Sequence, residues 1–172
     1  SLRLVQEVYK KNKILGAVAQ RDSSIDDPEL EDLYEIGTVA QILKILEMPD
    51  GTTSVIIQGR KRFKINDLFT DKPYHVARIS SLEDDTDEPA AESKAVAAAL
   101  KEMAIKIIKF SSNIPNEATF AIKNIESPAF LINFLASNSE MSLTEKQALL
   151  ETNSASKRGI KLLQHLSKES QL

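Results

Sequence analysis

What most constrains the fold of this chain is residues 36–65, IGTVAQILKILEMPDGTTSVIIQGRKRFKI. Two apolar runs rich in β-branched residues, 36–46 and 52–57, flank Met48-Pro49-Asp50-Gly51. Proline fixes φ and Asp-Gly readily supplies a positive φ, so these four residues read as a hairpin loop. Past Gly59, Phe63 and Ile65 alternate with Arg62 and Lys64 in a third, shorter run. That is the period-two signature of a strand with one dry and one wet face. The first run is apolar on both faces, Val39, Leu43 and Ile45 against Ala40, Ile42 and Leu46. A strand of that kind is covered on both sides or belongs to a closed barrel. The expectation is a small antiparallel barrel-like sheet, with Gly59 at a bulge or tight corner.

The segments on either side extend this sheet. Residues 1–12 place Leu4, Val5 and Val8 on one side with Tyr9 adjoining, which is helical spacing, and Lys10-Lys11 suits the helix dipole. Residues 14–20 read as a short strand. Residues 21–35 are acidic, with Asp22, Asp26, Asp27, Glu29, Glu31, Asp32 and Glu35 against Arg21 alone. No His lies near and the Gly-hinged calcium pattern is missing, so a solvated loop is favoured over a cation site. Its acidity suits selection of basic substrates or repulsion of nucleic acid. Leu68-Phe69 and then residues 74–82 read as the last strand, with Val76 and Ile79 as apolar contributors and His75 on the surface.

Residues 83–92, EDDTDEPAAE, combine a carboxylate run with Pro89, and composition turns alanine-rich beyond them. The division expected is a β-rich domain over 1–85 and an α-helical one over 86–172. Val96, Leu100, Met103, Ile107 and Phe110 mark a long amphipathic helix over 90–110. Residues 111–116, with Ile114-Pro115, end it, and 117–124 form a short helix. Ser127-Pro128 is a helix start, an N-cap with proline in the first turn. The helix it opens, 129–136, holds Phe130, Leu131, Ile132, Phe134 and Leu135, so it is central to a bundle or a docking surface. Ser142-Leu143-Thr144-Glu145 fits a capping box opening 143–152. The last helix, 156–170, carries Ile160, Leu163 and Leu166 beside Lys157, Arg158, Lys161 and Lys168, with His165 on the surface or between helices.

Composition excludes several chemistries. A chain of 172 residues with net charge −3 and 42% apolar residues is an ordinary globular protein able to bury a core. No apolar run approaches the ~20 residues of a membrane span. With no Cys there are no disulfides or thiolate metal sites. GxxxxGK[ST], HExxH and dinucleotide fingerprints are missing, so ATP hydrolysis, zinc hydrolysis and dinucleotide binding have no support. Arg60, Lys61, Arg62 and Lys64 form the one dense basic cluster. A solvated strand face explains it more simply than a phosphate site, because single-stranded nucleic acid also wants stacking aromatics and Phe63 belongs to the core pattern.

The stretch 36–65 resembles the core of the N-terminal domain of Lon proteases, ATP-dependent AAA-type enzymes. SLRLVQEVYKKNKILGAVAQRD before it and SNIPNEATFAIKNIESPAFLINFLAS after it fit the same family in the same order. The resemblance implies an α+β fold, a PUA-like antiparallel β-barrel or sheet domain followed by a helical bundle leading toward the ATPase. It implies a non-catalytic region that binds unfolded or damaged polypeptides and supports hexamer assembly in protein quality control. Its expected contact residues are Met48 and Pro49 at the hairpin tip, Arg60 and Arg62 on a strand face, and Leu68 and Phe69 beyond. No cofactor or metal is expected in this region, ATP and magnesium being implied for the full-length serine protease. The family places a strand pair before the first helix, and the final helix lacks a stop signal, so a fragment of a longer protein is expected. The resemblance further implies a bacterial cytoplasm, with the mitochondrial matrix as alternative, and no membrane partner. A PUA-like nucleic-acid or small-ligand module is the competing reading, and a stand-alone adaptor is a third.

Overall fold

The computed structural model describes residues 2–70, 73–109 and 116–170. The chain divides into two compact units, Ser1–Glu83 and Asp84–Leu172. In the first, helix α1 (Leu2–Tyr9) and strand β1 (Ile14–Ala17) lead into β2 (Ile36–Glu47), β3 (Thr53–Phe69) and β4 (Val76–Leu82). The strands pair antiparallel in the linear order β1-β2-β3-β4. It is the sheet form of the expectation that is seen: among the described residues β1 and β4 are its two edges.

The hairpin loop forms for the reasons its sequence suggests. Gly51 takes φ +87°, the Met48 N–H donates to the Thr52 carbonyl at 2.8 Å, and the Asp50 carboxylate accepts from the Thr52 hydroxyl and N–H at 2.6 and 3.0 Å. These bonds, the hydroxyl's first, hold the Asp50 carboxyl below its usual range.

Beyond the loop the structure departs from the reading of two separate runs. Residues 53–69 are one strand of 17 residues, and Gly59 marks a bulge rather than a corner. Val39 pairs with Lys61 while Ala40 pairs with Gly59, leaving Arg60 as the extra residue. Leu43 is extra where Ile42 pairs with Ile57 and Lys44 with Ile56. Asn66 is extra between the Ile65–Ile79 and Asp67–Arg78 pairs. Each bulge resets the side-chain phase. Phe63 and Ile65 are buried as their alternation requires, and past Asn66 it is Leu68, not Asp67, that packs on the Leu33–Phe63–Ile65 core. On β2, Ala40 and Ile42 are buried, whereas Leu43 at its bulge is 50% exposed.

The Phe63 ring lies across its strand partner Gly37 and reaches Gly16. A Cβ at Gly37 would sit 2.8 Å from Phe63 Cζ and 2.4 Å from the Ala17 carbonyl oxygen. Residues 21–35 are only partly a solvated loop. Gln20 bridges Leu33, a 3₁₀ turn spans Leu30–Asp32, the Tyr34 N–H donates to the Ala19 carbonyl, and Leu33 is buried. Helix α1 is shorter than expected. Lys10 and Lys11 lie in the turn after it, which closes with Lys13 at φ 62° and its N–H on the Val8 carbonyl. β1 likewise ends at Ala17, ahead of Gln20.

The second unit holds α2 (Ala90–Lys109), α3 (Asn116–Lys123), α4 (Pro128–Asn138), α5 (Leu143–Leu150) and α6 (Ala155–Ser170). The expected end of the long helix at Phe110, and the Ile114-Pro115 stop, lie outside the described residues. Leu100, Leu131, Ile132 and Leu162 form its driest core, each at most 1% exposed. Ser127 caps α4 through its hydroxyl, which accepts from the Phe130 N–H. The Ser142–Glu145 box closes reciprocally at the start of α5. On α6 the buried face is Ala155, Ser156, Arg158, Gly159, Leu162 and Leu166, while the apolar Ile160 is 39% exposed. Gly159 fixes that rotation, because a Cβ there would meet Val96 Cγ1 at 2.4 Å.

The acidic segment at the junction is ordered. Arg158, 3% exposed, donates to Asp84 at 2.8 Å, to the Thr152 carbonyl at 2.8 Å and to Asn133 at 3.1 Å. Glu88 accepts from the Ser154 hydroxyl and from the Ser156 N–H and hydroxyl at the start of α6.

Candidate functional surfaces

The sheet unit presents apolar side chains to solvent on ordered backbone. At the distal half of the β2–β3 hairpin, the extra residue Leu43 lies across from Ile56 and Ile57, which are 45% and 46% exposed, and Met48 at the tip is 41% exposed. Pro49 is exposed beside it. At the other end of β3, Phe69 faces its strand partner Val76, and both are exposed. The Arg78 guanidinium lies 5.7 Å from the Phe69 ring centroid and pairs with Asp67 at 3.2 Å. Paired residues of an antiparallel ladder share a face, so Phe69 and Val76 are contiguous. Ile56 and Ile57, neighbours along β3 that pair with Lys44 and Ile42, instead project from opposite faces beside the Leu43 bulge. The two groups occupy opposite ends of β3, and the six expected contact residues do not form one patch.

The basic residues are also dispersed. Arg60 is exposed at its bulge and donates to the Gln41 side chain. Arg62 is half-buried, Lys61 donates to the Ser81 hydroxyl at 3.2 Å, and alternation sends Lys61 to the Phe63 face and Arg62 and Lys64 to the other. Leu68 is half-buried on the core, which leaves Phe69 as the exposed member of that pair. Leu43, Ile56 and Ile57 were missed by the sequence reading. For Leu43 the two-faced apolar pattern of its strand points to cover, and only the bulge places it in water.

In the helical unit, Phe130 and Phe134 stack on the outer side of α4, centroids 6.3 Å apart, while Leu131, Ile132 and Leu135 fill the core. The greasy helix therefore has both an inner and an outer apolar face. His165 lies between elements, with Nδ1 3.2 Å from the Glu145 carboxylate and Nε2 2.8 Å from the Glu140 carbonyl. The Ser142 cap, more than His165, lowers the Glu145 carboxyl.

A cleft of about 450 Å³ opens between the acidic loop and β3. Leu30, Leu33 and Ile65 give it apolar surface, Glu31 and Glu35 carboxylates, and Arg21, Tyr34 and Asn66 the remaining walls. Arg21 is engaged there: its Nε donates to the Leu33 carbonyl at 3.2 Å and its guanidinium lies 4.8 Å from the Tyr34 ring centroid. The apolar residues Leu30, Leu33 and Tyr34 within an acidic run were the available signal that this loop folds back on the sheet. Among the described residues no group of His, Cys, Asp and Glu is placed to hold a metal ion, and no helix is long and apolar enough to cross a membrane.

Residues 1–168 match the family model described as the ATP-dependent protease La (LON) substrate-binding domain. The Lon protease of Flavobacterium johnsoniae is 46% identical over 99% of this chain, and that of Cytophaga hutchinsonii 43% identical over all of it. The chain spans 21% of the length of each of these curated relatives. Among solved structures, the N-terminal domain of a Mycobacterium avium complex Lon protease superposes with a TM-score of 0.69 at 19% identity, over 89% of this chain and 90% of that one. A Lon N-terminal domain protein from Xanthomonas campestris gives 0.63 at 20% identity, over 94% and 81%. At these identities the structures speak to the fold, which they share.

Proposed function

This chain belongs to the Lon substrate-binding domain family, and we propose that it captures unfolded or damaged polypeptides for an ATP-dependent protease. The observation that carries this reading is the set of exposed apolar side chains on hydrogen-bonded strands rather than on a loose tail: Leu43, Ile56, Ile57 and Met48 around the distal hairpin, and the paired Phe69 and Val76 at the other end of β3. Exposed apolar side chains that adjoin one another mark interaction surfaces, and the Phe69–Val76 pair adjoins across the ladder.

Magnitudes decide what kind of binding this is. Full burial of one large apolar side chain stabilises by ~1.5–3 kcal/mol, while association costs ~4–15 kcal/mol. A group of this size binds weakly and releases readily, as a capture site upstream of an unfolding motor must. Strand addition along β4, an edge among the described residues, would add main-chain hydrogen bonds indifferent to sequence. Repetition of the domain in a hexamer would turn weak contacts into retention through effective concentration. ATP, magnesium and peptide hydrolysis belong, on this reading, to other parts of such a protein. The nucleic-acid reading draws less support, because the basic residues alternate between two faces of β3.

The test is fluorescence anisotropy with a labelled, permanently unfolded polypeptide and, in parallel, single-stranded RNA, at low and high salt. Saturable polypeptide binding that survives salt, weakened several-fold by Ile56→Ser/Ile57→Ser, is the expected result. RNA binding that falls steeply with salt and no polypeptide binding would overturn it.

A further inference from the structure

The cleft beside the acidic loop is unlike the other exposed surfaces, because it joins an apolar floor to carboxylates. Leu33 and Ile65 are 7% exposed at the base and Leu30 is 42% exposed at the mouth. Glu31 and Glu35 stand in the same lining, both exposed. We propose that this cleft is a subsite for a long cationic side chain, lysine or arginine, of an otherwise apolar polypeptide segment. The proposal rests on the polypeptide-binding reading above and adds a chemical preference to it.

The cleft is complementary to such a side chain in two ways at once. Lysine and arginine lay their methylene stems on apolar surface while their charged heads seek polar partners. Here the stem meets Leu30, Leu33 and Ile65 and the head meets Glu31 or Glu35. A purely apolar side chain would cover those carboxylates without compensating them, which costs free energy. An acidic one would add a like charge. Arg21, the one base in residues 21–35, is committed to the Leu33 carbonyl and the Tyr34 ring. Its single charge does not balance the acids around it: sharing a hydrogen bond with Glu31, and lying near the charges of Glu31, Asp32 and Asp27, holds the Glu29 carboxyl above its usual range. An incoming cation would relieve that crowding.

Three labelled peptides with one apolar core and flanking Lys, Ser or Glu, titrated against the full chain, test this. The Lys-flanked peptide is expected to bind about tenfold more tightly than the Glu-flanked one at low salt, the gap closing as salt screens it. In Glu31→Gln/Glu35→Gln the gap should fall to about twofold with Ser-flanked binding unchanged. The equal-charge control Glu102→Gln/Glu126→Gln, in the other unit, should leave the gap intact, which separates a site from the net charge of the chain. Circular dichroism confirms that both variants fold. Equal binding of the three peptides, or equal effects of the two variant pairs, overturns the subsite and leaves polypeptide capture standing. Failure of all three peptides to bind overturns both.

Discussion

Gly37 is where a single residue decides most in the sheet unit. The alternation of Phe63 and Ile65 announces a buried aromatic, but nothing in their spacing says what lies beneath the ring. The register puts Gly37 opposite Phe63, and the missing side chain is the space the ring occupies. Gly37→Ala is expected to destabilise the sheet unit by ~1–3 kcal/mol, because the new methyl would meet both the ring and the Ala17 carbonyl. Urea denaturation followed by far-ultraviolet circular dichroism measures it, and an unchanged midpoint would remove the close-approach account. Leu68 and Phe69 teach the same limit. Adjacent apolar residues in one sequence run were equally eligible as contacts, and only the bulge at Asn66 assigns one to the core and the other to water.

Elements were legible wherever a cap or a period wrote them into the chain. The Met48–Gly51 turn, the Ser127 cap and the Ser142 box each join local residues by local bonds, so their sequences suffice. The start of α6 is different, because its partner is remote. Ser154 caps it by accepting from the Lys157 N–H, and Glu88 then accepts from Ser154 and Ser156. The carboxylate run that reads as a domain boundary thus contains a helix cap. These bonds, that of Ser154 foremost, hold the Glu88 carboxyl below its ordinary value of 4.5. A carboxyl lowered in the folded state stabilises the fold at pH values above that ordinary value, and the gain is lost as pH falls through the folded one. Glu88→Gln should therefore cost on the order of 1 kcal/mol near neutrality and progressively less as the pH is taken below 4.5 toward the folded-state value. Thermal melts of both proteins across that interval provide the check, and a pH-independent difference would mean that packing rather than charge is lost.

At the scale of the molecule, each unit carries its own core. Leu33, Phe63 and Ile65 anchor one cluster, Leu100, Leu131, Ile132 and Leu162 the other, and the clusters share no residue. Cooperative unfolding follows shared burial, so a chain with two cores need not melt in one step. Calorimetry is expected to show two transitions, each assignable by one glycine. Gly159→Ala gains ~1 kcal/mol of helix propensity, yet its methyl would lie 2.4 Å from Val96 Cγ1 and 3.0 Å from Ile132 Cδ1. Overpacking of that kind costs ~1–3 kcal/mol, so the net effect is a lower melting temperature for the helical unit alone. Gly37→Ala should shift only the other transition. A single transition lowered by both substitutions would mean that the two units unfold as one body, the two cores being coupled through contacts that neither cluster contains.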